Sequence, residues 1–496
     1  MSKKEFDPIK DTKNLADERE QKNKAAGLEL LNKFNLSGRI YFESHGRSGV
    51  YWHPNADGEW VSDSATEFDD FLLSVEVDPN RPDKGVLSDL KRVKQHIRDY
   101  CRVDFVGALA GYPAGYRFVN GYRVLVTQPP RWIDPRPGDC SMILEFIDGM
   151  FAPGDGEGID QRPFLFGWLK HALMGLEENR RPDGTKDALR GMAFILVGDK
   201  ASGKTLLTKK VIRPLLGDRE CKPYRYFYGE EKFNGSFIGS ECWIIDDEQA
   251  ARDGKSRSVF SAGVKQAVAD PTYRIRGMHK DEVALDLYRR LIILCNREPE
   301  RIQALPQLDS DMDDKVLILS AKNTPFPIVN NTLEERRGVD RAFTDELPGF
   351  AHWLLNEWQD ETGATVSTPD APLRFGVQPF HHPDVKQSLF DVSAEFHIWE
   401  QIKRTLFPSD LMGCSWREHL TATELLEKLK DSDSPLTNRE RDKLPSGEAA
   451  FGKILNKIAS HQPGNVLPGK KINGRAGYVL VRNDHKLTEA IESLKG

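Results

Sequence analysis

The chain has 496 residues, a formal net charge of −6, 39% hydrophobic and 29% charged residues. That length supports roughly three domains with real cores, and the acidic balance excludes nucleic-acid binding by global attraction, so such contacts must come from local basic patches. No apolar run approaches the ~20 residues of a membrane span, the N-terminus lacks the apolar segment of a secretory leader, and the six cysteines are scattered without a CxxC or Cys/His cluster, which points to a reducing cytoplasm and away from zinc.

Residues 1–27 read as a polar, solvated arm. Residues 28–135 read as an N-terminal α+β domain. Gly38–Phe42, Val50–Trp52 and Glu59–Val61 are short strands of a meander, with a turn at Pro54–Gly58. Val86–Tyr100 has helical apolar spacing, and Gly121–Thr127 is a further strand. Asp69 and Asp70 read as solvated residues rather than metal ligands. The stretch QPPRWIDPRPG, Gln128–Gly138, reads as a linker. Residues 136–190 form a helical lead-in, with helices near Ser141–Met150 and Arg162–Leu176.

The segment GDKASGKT follows the apolar strand Met192–Val197 and precedes a helix at Leu206–Val211. Strand, glycine-rich turn and helix are the parts of a phosphate-binding loop. Gly198, Asp199, Lys200, Ala201, Ser202, Gly203, Lys204 and Thr205 are its candidate nucleotide contacts. The two glycines permit backbone N–H groups to turn toward an anion. Lys204 reaches the outer phosphates of ATP, and the Thr205 hydroxyl coordinates Mg²⁺.

CWIIDDE, Cys242–Glu248, is an apolar strand ending in acids, far enough beyond Lys204 for a helix and another strand. Asp246 is assigned to the metal and Asp247 to activation of water, with Glu248 competing for the second role. YRIRGMHKDEVALDL, Tyr273–Leu287, pairs as a hairpin. His279 and Lys280 lie near its tip, with Arg274 and Arg276 beside them, a pattern suited to phosphate-backbone contact. RRLIILCN, Arg289–Asn296, is a second buried strand. Its terminal Asn296 is placed to meet the γ-phosphate or the lytic water.

Beyond residues 191–375, the segment 376–496 reads as a winged-helix domain. A helix at Thr421–Lys430, a second at Glu448–Ser460 and a hairpin turning at Asn473-Gly474 follow in order. Lys453 and Lys457 on the second helix and Lys470, Lys471 and Arg475 on the wing are candidate nucleic-acid contacts.

The order GDKASGKT, IIDD, GMHKD, ILCN over Gly191–Ser320 resembles the superfamily 3 helicases, AAA+ motors of viruses, phages and plasmids. The FNGSFIG stretch, Phe233–Gly239, resembles that family's segment before the acidic strand. The resemblance implies an α/β AAA+ P-loop core with terminal domains, MgATP at Lys204 and Thr205, Asp246 and Asp247 as the acidic pair, Asn296 as sensor, and His279 and Lys280 as the tracking tip. It implies a replicative DNA helicase of a mobile element, a hexameric ring on single-stranded and forked DNA, 3′ to 5′ travel, and a separate primase or polymerase as partner. The family's arginine finger has no direct counterpart, because Lys315 stands where arginine is expected. Lysine lacks the bidentate fork. Arg301 and Lys315 are the leading candidates, with Arg297, Arg289 and Arg290 behind them. The alternative is an AAA+ switch or loader that assembles on DNA without processive unwinding.

Overall fold

Apolar runs without alternation, such as Ala193–Val197 and Leu291–Cys295, demand strands covered on both faces, which is the condition of a parallel sheet. A computed structural model of the chain, describing residues 24–45, 48–82, 87–154, 158–181, 186–246, 254–276, 282–306, 308, 311–323, 332–360, 373–407, 416–462 and 465–482, shows that sheet. Five strands lie in the order Val316–Ala321, Ala193–Gly198, Arg290–Cys295, Cys242–Asp246, Glu220–Cys221, all parallel. The first three are buried along their whole length. The Arg290–Cys295 strand is therefore inserted between the phosphate-loop strand and the acidic strand. Their carboxyl ends, at Gly198, Asp246 and Cys295, open on one side, where ligands of open α/β sheets bind.

The helix after the loop is irregular. It is α-helical over Lys204–Leu206, π-helical over Leu207–Ile212 and α-helical again over Arg213–Leu215. Pro214 has no N–H to give the carbonyl four residues earlier. The turn before it widens, and the Arg213 N–H bonds to the Thr208 carbonyl. A second wide turn, Trp353–Glu357, follows the Leu333–His352 helix, which carries Pro348 inside it.

Outside the main sheet, Thr272–Ile275 and Val283–Asp286 pair as an antiparallel hairpin, Thr272 opposite Asp286 and Ile275 opposite Val283. Its returning strand is only three residues from Arg290, where the Asn296 strand begins.

The N-terminal meander is present as Tyr41–His45, Ser48–Pro54 and Trp60–Asp63. Arg102–Val103 adds to its first strand in parallel. Helices Ala65–Ser74 and Asp89–Tyr100 bury Phe68, Leu72, Val93 and Ile97 against Tyr51 in a core of their own. Asp69 lies on the first of these helices and pairs with Lys94 at 2.5 Å. A second small sheet, Phe105–Ala108, Tyr122–Gln128 and Gly115–Val119 in spatial order, packs Val124 and Val126 into the core of the five-stranded unit. The proline-rich stretch that follows is pinned along that unit. The Arg131 N–H donates to the Gly217 carbonyl at 3.1 Å and the Arg136 N–H to that of Pro348 at 3.2 Å.

One buried carboxylate ties these parts together. Glu241, 0% exposed, precedes the acidic strand. Its Oε1 accepts from the Gly111 N–H at 2.7 Å and from Arg219 Nη2, and its Oε2 accepts from Arg219 Nε at 2.9 Å. Arg219 also donates to the carbonyls of Gln128 and Leu109. Burial pushes the Glu241 carboxyl up, against the opposing pull of Arg219.

At the C-terminal end, helices Ala394–Leu406, Ala422–Lys430 and Glu448–His461 pack with a three-stranded antiparallel sheet in the order Trp416–Thr421, Arg475–Arg482, Val466–Ile472. This unit has a separate core around Ile402, Leu425, Phe451, Leu455 and Leu480. Among the described residues, no helix is long and apolar enough to cross a membrane.

Candidate nucleotide site

The phosphate loop turns on two left-handed residues. Gly203 has φ +87° and Ala201 φ +65°. Glycine takes that conformation freely, but alanine does so at a cost of about 1 kcal/mol or more. Strain of this kind persists where surrounding structure imposes it. A Cβ at Gly198 would come within 2.7 Å of Ser202 Oγ and 2.9 Å of Ala321 Cβ, so the loop closes only around a bare backbone there. The alternation of right- and left-handed residues shapes the concavity that phosphate oxygens fill.

Lys204 is 8% exposed, and its ammonium is the centre of the site. It donates to the carbonyls of Gly198 and Asp199, both at 2.8 Å, and to Asn296 Oδ1 at 2.9 Å. The structure thus brings Asn296, from the inserted strand, onto the loop lysine. Asp246 lies exposed at the end of the neighbouring strand, and Thr205 is exposed at the start of the helix. A carboxylate and a hydroxyl are oxygen donors of the kind that suits Mg²⁺ chemically. Asp247 and Glu248 lie outside the described residues.

Arg297, next to Asn296, donates from Nη2 to Ser320 Oγ at 2.6 Å, and its Nε lies 3.5 Å from Asp199 Oδ1. Ser320 is itself fixed by the buried amide of Gln161, which donates to the Ser320 carbonyl at 2.9 Å and accepts from its N–H at 2.8 Å. Beside them, His382 reaches the edge of the sheet because residues 380–382 run along Val316–Ala321, with the His382 N–H on the Ile318 carbonyl. Burial lowers the pKa of His382; Asp384 opposes the shift, and the charges of Arg297 and Lys322 add to it.

The structure places the finger candidates differently from one another. Lys315 is 8% exposed and engaged within its own subunit, by Asp314 Oδ1 at 2.8 Å and the Asp311 carbonyl, over the Phe375 ring. Arg289 and Arg290 are buried. Arg289 donates to the carbonyls of Gln266, Ala267 and Asp270 at the end of the Gly254–Ala269 helix and packs on Trp243 and Tyr273. Arg290 donates to the Leu189 carbonyl. Both are structural, and burial lowers their pKa values, that of Arg289 to about 10. Arg301 is half-buried on the short helix Pro299–Ile302, beside Tyr224, Phe260 and Leu305.

Arg274 on the first hairpin strand and Arg276, just past its end, are both exposed, and Arg274 Nη1 lies 3.4 Å from Glu282. His279 and Lys280 lie outside the described residues. Asn234, 1% exposed, is the residue that fixes the hairpin. Its side chain accepts from the Arg276 N–H at 2.7 Å and donates to the Arg274 carbonyl at 2.8 Å, and its own N–H donates to the Arg276 carbonyl at 3.2 Å. Sequence reasoning reached the FNGSFIG segment without singling out this amide; an Asn two residues before Ser-Phe carries no signal of a partner 40 residues away.

In the C-terminal unit, Lys453, Lys470 and Lys471 are exposed. Lys457 pairs with Glu395 at 3.0 Å on the first helix of the unit. Arg475 donates to Thr423 Oγ1 at 3.2 Å and faces Glu448 at 3.7 Å. Tyr478 locks the hairpin on the last helix through the Gly452 carbonyl and Asn456 Oδ1, each at 3.1 Å.

A family of unknown function, DUF5906, matches residues 196–312, the span from the phosphate-loop strand through the hairpin to the turn beyond Asn296. No curated protein matches the chain. Among solved structures, the chain is similar to the apo A form of the NrS-1 C-terminal region, at 13% identity and a TM-score of 0.49, covering 92% of this chain and 100% of that one. It is also similar to the SCCmec type IV Cch helicase, at 11% identity and a TM-score of 0.27, covering 86% of this chain and 73% of that one. A JCV helicase with a bound small molecule matches at 12% identity and a TM-score of 0.22, covering 53% of this chain and 71% of that one.

Proposed function

We propose that the chain is an ATP-hydrolysing DNA helicase motor of the superfamily 3 AAA+ type, carrying a winged-helix domain at its C-terminal end. The observation that carries this reading is the contact between Lys204 and Asn296. It joins the phosphate loop to the inserted strand, and only three residues separate the end of the basic hairpin from the start of that strand. A change at the loop lysine is therefore felt along one continuous, buried strand by a projecting hairpin. Lys204 holds the outer phosphates of the substrate. Thr205 and Asp246 hold Mg²⁺, which supplies charge neutralisation at those phosphates. Asn296 orients the water, and Asp247 or Glu248 accepts its proton. The strand order and hairpin of the C-terminal unit support the winged-helix reading, with Lys453, Lys470 and Lys471 presented to a duplex.

A ring of copies, single-stranded DNA in its centre and 3′ to 5′ travel complete the proposal, in the setting of mobile-element replication. The test is displacement of a labelled strand from a forked duplex, with ATP and Mg²⁺, alongside mass measurement with and without a non-hydrolysable analogue. Displacement by a nucleotide-dependent ring is the expected result. ATP-dependent DNA binding by a persistent monomer, without displacement, identifies a switch instead.

The Asn234 latch gives a separate expectation. Asn234→Ala leaves the Arg276 N–H and the Arg274 carbonyl without their partner, at a cost of about 1–3 kcal/mol. Basal turnover should persist while its stimulation by single-stranded DNA falls several-fold. Unaltered stimulation in a folded variant, judged by thermal melting, removes Asn234 from the coupling path.

A further inference from the structure

We propose that Arg297 acts within its own subunit as the group that distinguishes a nucleoside triphosphate from a diphosphate; this rests on the nucleotide reading above. Arg297 is one residue beyond Asn296, which already touches the loop lysine. Its guanidinium faces the loop itself, with Nε 3.5 Å from the Asp199 carboxylate. That carboxylate is 59% exposed and belongs to the phosphate loop. It occupies the place of an anion beside Arg297. An exposed ion pair at this distance is weak, whereas a phosphate can take the guanidinium fork through two parallel hydrogen bonds.

The other contact of Arg297 is a rigid support. Ser320 Oγ accepts from Nη2 at 2.6 Å, and both backbone groups of Ser320 are held by Gln161, which is 2% exposed. The guanidinium is thus held near the loop before any ligand arrives, which lowers the ordering cost of binding. A finger that serves a neighbouring subunit has to project away from its own loop, whereas Arg297, though exposed, contacts Asp199 and Ser320 of its own chain.

Equilibrium titration with fluorescent ADP and a fluorescent non-hydrolysable ATP analogue, both with Mg²⁺, tests this on the full chain. Arg297→Ala should bind ADP as the wild type does and the triphosphate about tenfold more weakly. Arg297→Lys should fall between them, since it keeps the charge without the fork. Equal affinity ratios in wild type and Arg297→Ala overturn the proposal. A wild-type chain that binds neither nucleotide overturns the nucleotide reading instead, so the two failures are told apart. Mixing provides the second arm: at subsaturating ATP, Arg297→Ala subunits combined with Lys204→Ala subunits should show no more turnover than the Arg297→Ala subunits alone. Recovery shows that Arg297 completes a neighbour's site, and the assignment within one subunit falls.

Discussion

Lys204→Ala abolishes ATP turnover, by at least about 10²–10³-fold, the scale on which removal of a placed charge-stabilising donor acts. The ammonium is the only group that joins three parts of the described site: two loop carbonyls, Asn296 and the opening of the helix. Alanine removes the positive charge that meets the outer phosphates and leaves Asn296 Oδ1 without its donor. Phosphate release at saturating ATP measures the effect, and nucleotide titration separates binding from chemistry. Thermal melting should change less than turnover, because the buried lysine bonds to the loop and to Asn296 rather than packing in the apolar core. Turnover within a few-fold of wild type would sink the assignment of the loop.

The second large effect is on stability. Glu241→Ala should cost about 3–5 kcal/mol, since it leaves a guanidinium without its buried partner. The Gly111 N–H loses its acceptor as well, and the junction between the small N-terminal sheet and the five-stranded unit loosens. The raised pKa of Glu241 shows that holding the charge there is itself unfavourable. Replacing both members, as in Glu241→Leu with Arg219→Met, should therefore cost clearly less than the sum of the single changes. Denaturant midpoints for the two single variants and the double variant measure this. Additive losses would mean that the pair is not a coupled unit.

The framework of the candidate nucleotide site was legible because it depends on local order. A strand, a glycine-rich turn and a helix are contiguous, so Gly198 to Thr205 could be read before the fold was seen. The hairpin strands and the Asn296 strand were legible for the same reason, as apolar runs bounded by turns. The Gln161–Ser320 and Asn234–Arg276 contacts were not, because single amides far apart in sequence give no periodic signal. Trp416–Thr421 and Ala394–Leu406 were also missed, although together with the two expected helices and the hairpin they complete the C-terminal unit. The burial of Lys315 beside Asp314 and Phe375 was not legible either, because it is set by packing that motif spacing does not reveal.

The widened turn at Leu207–Ile212 has a consequence for how this chain tolerates change. One extra residue is taken up between Lys204 and the buried pair Leu215 and Leu216. In a uniform helix, everything after it would be rotated by about 100°, and those two leucines would swing out of the interior. Pro214 therefore acts as a phase setter for the whole segment downstream of the loop. A substitution there is felt as misregistration of the hydrophobic face, some ten residues from where the substrate is gripped.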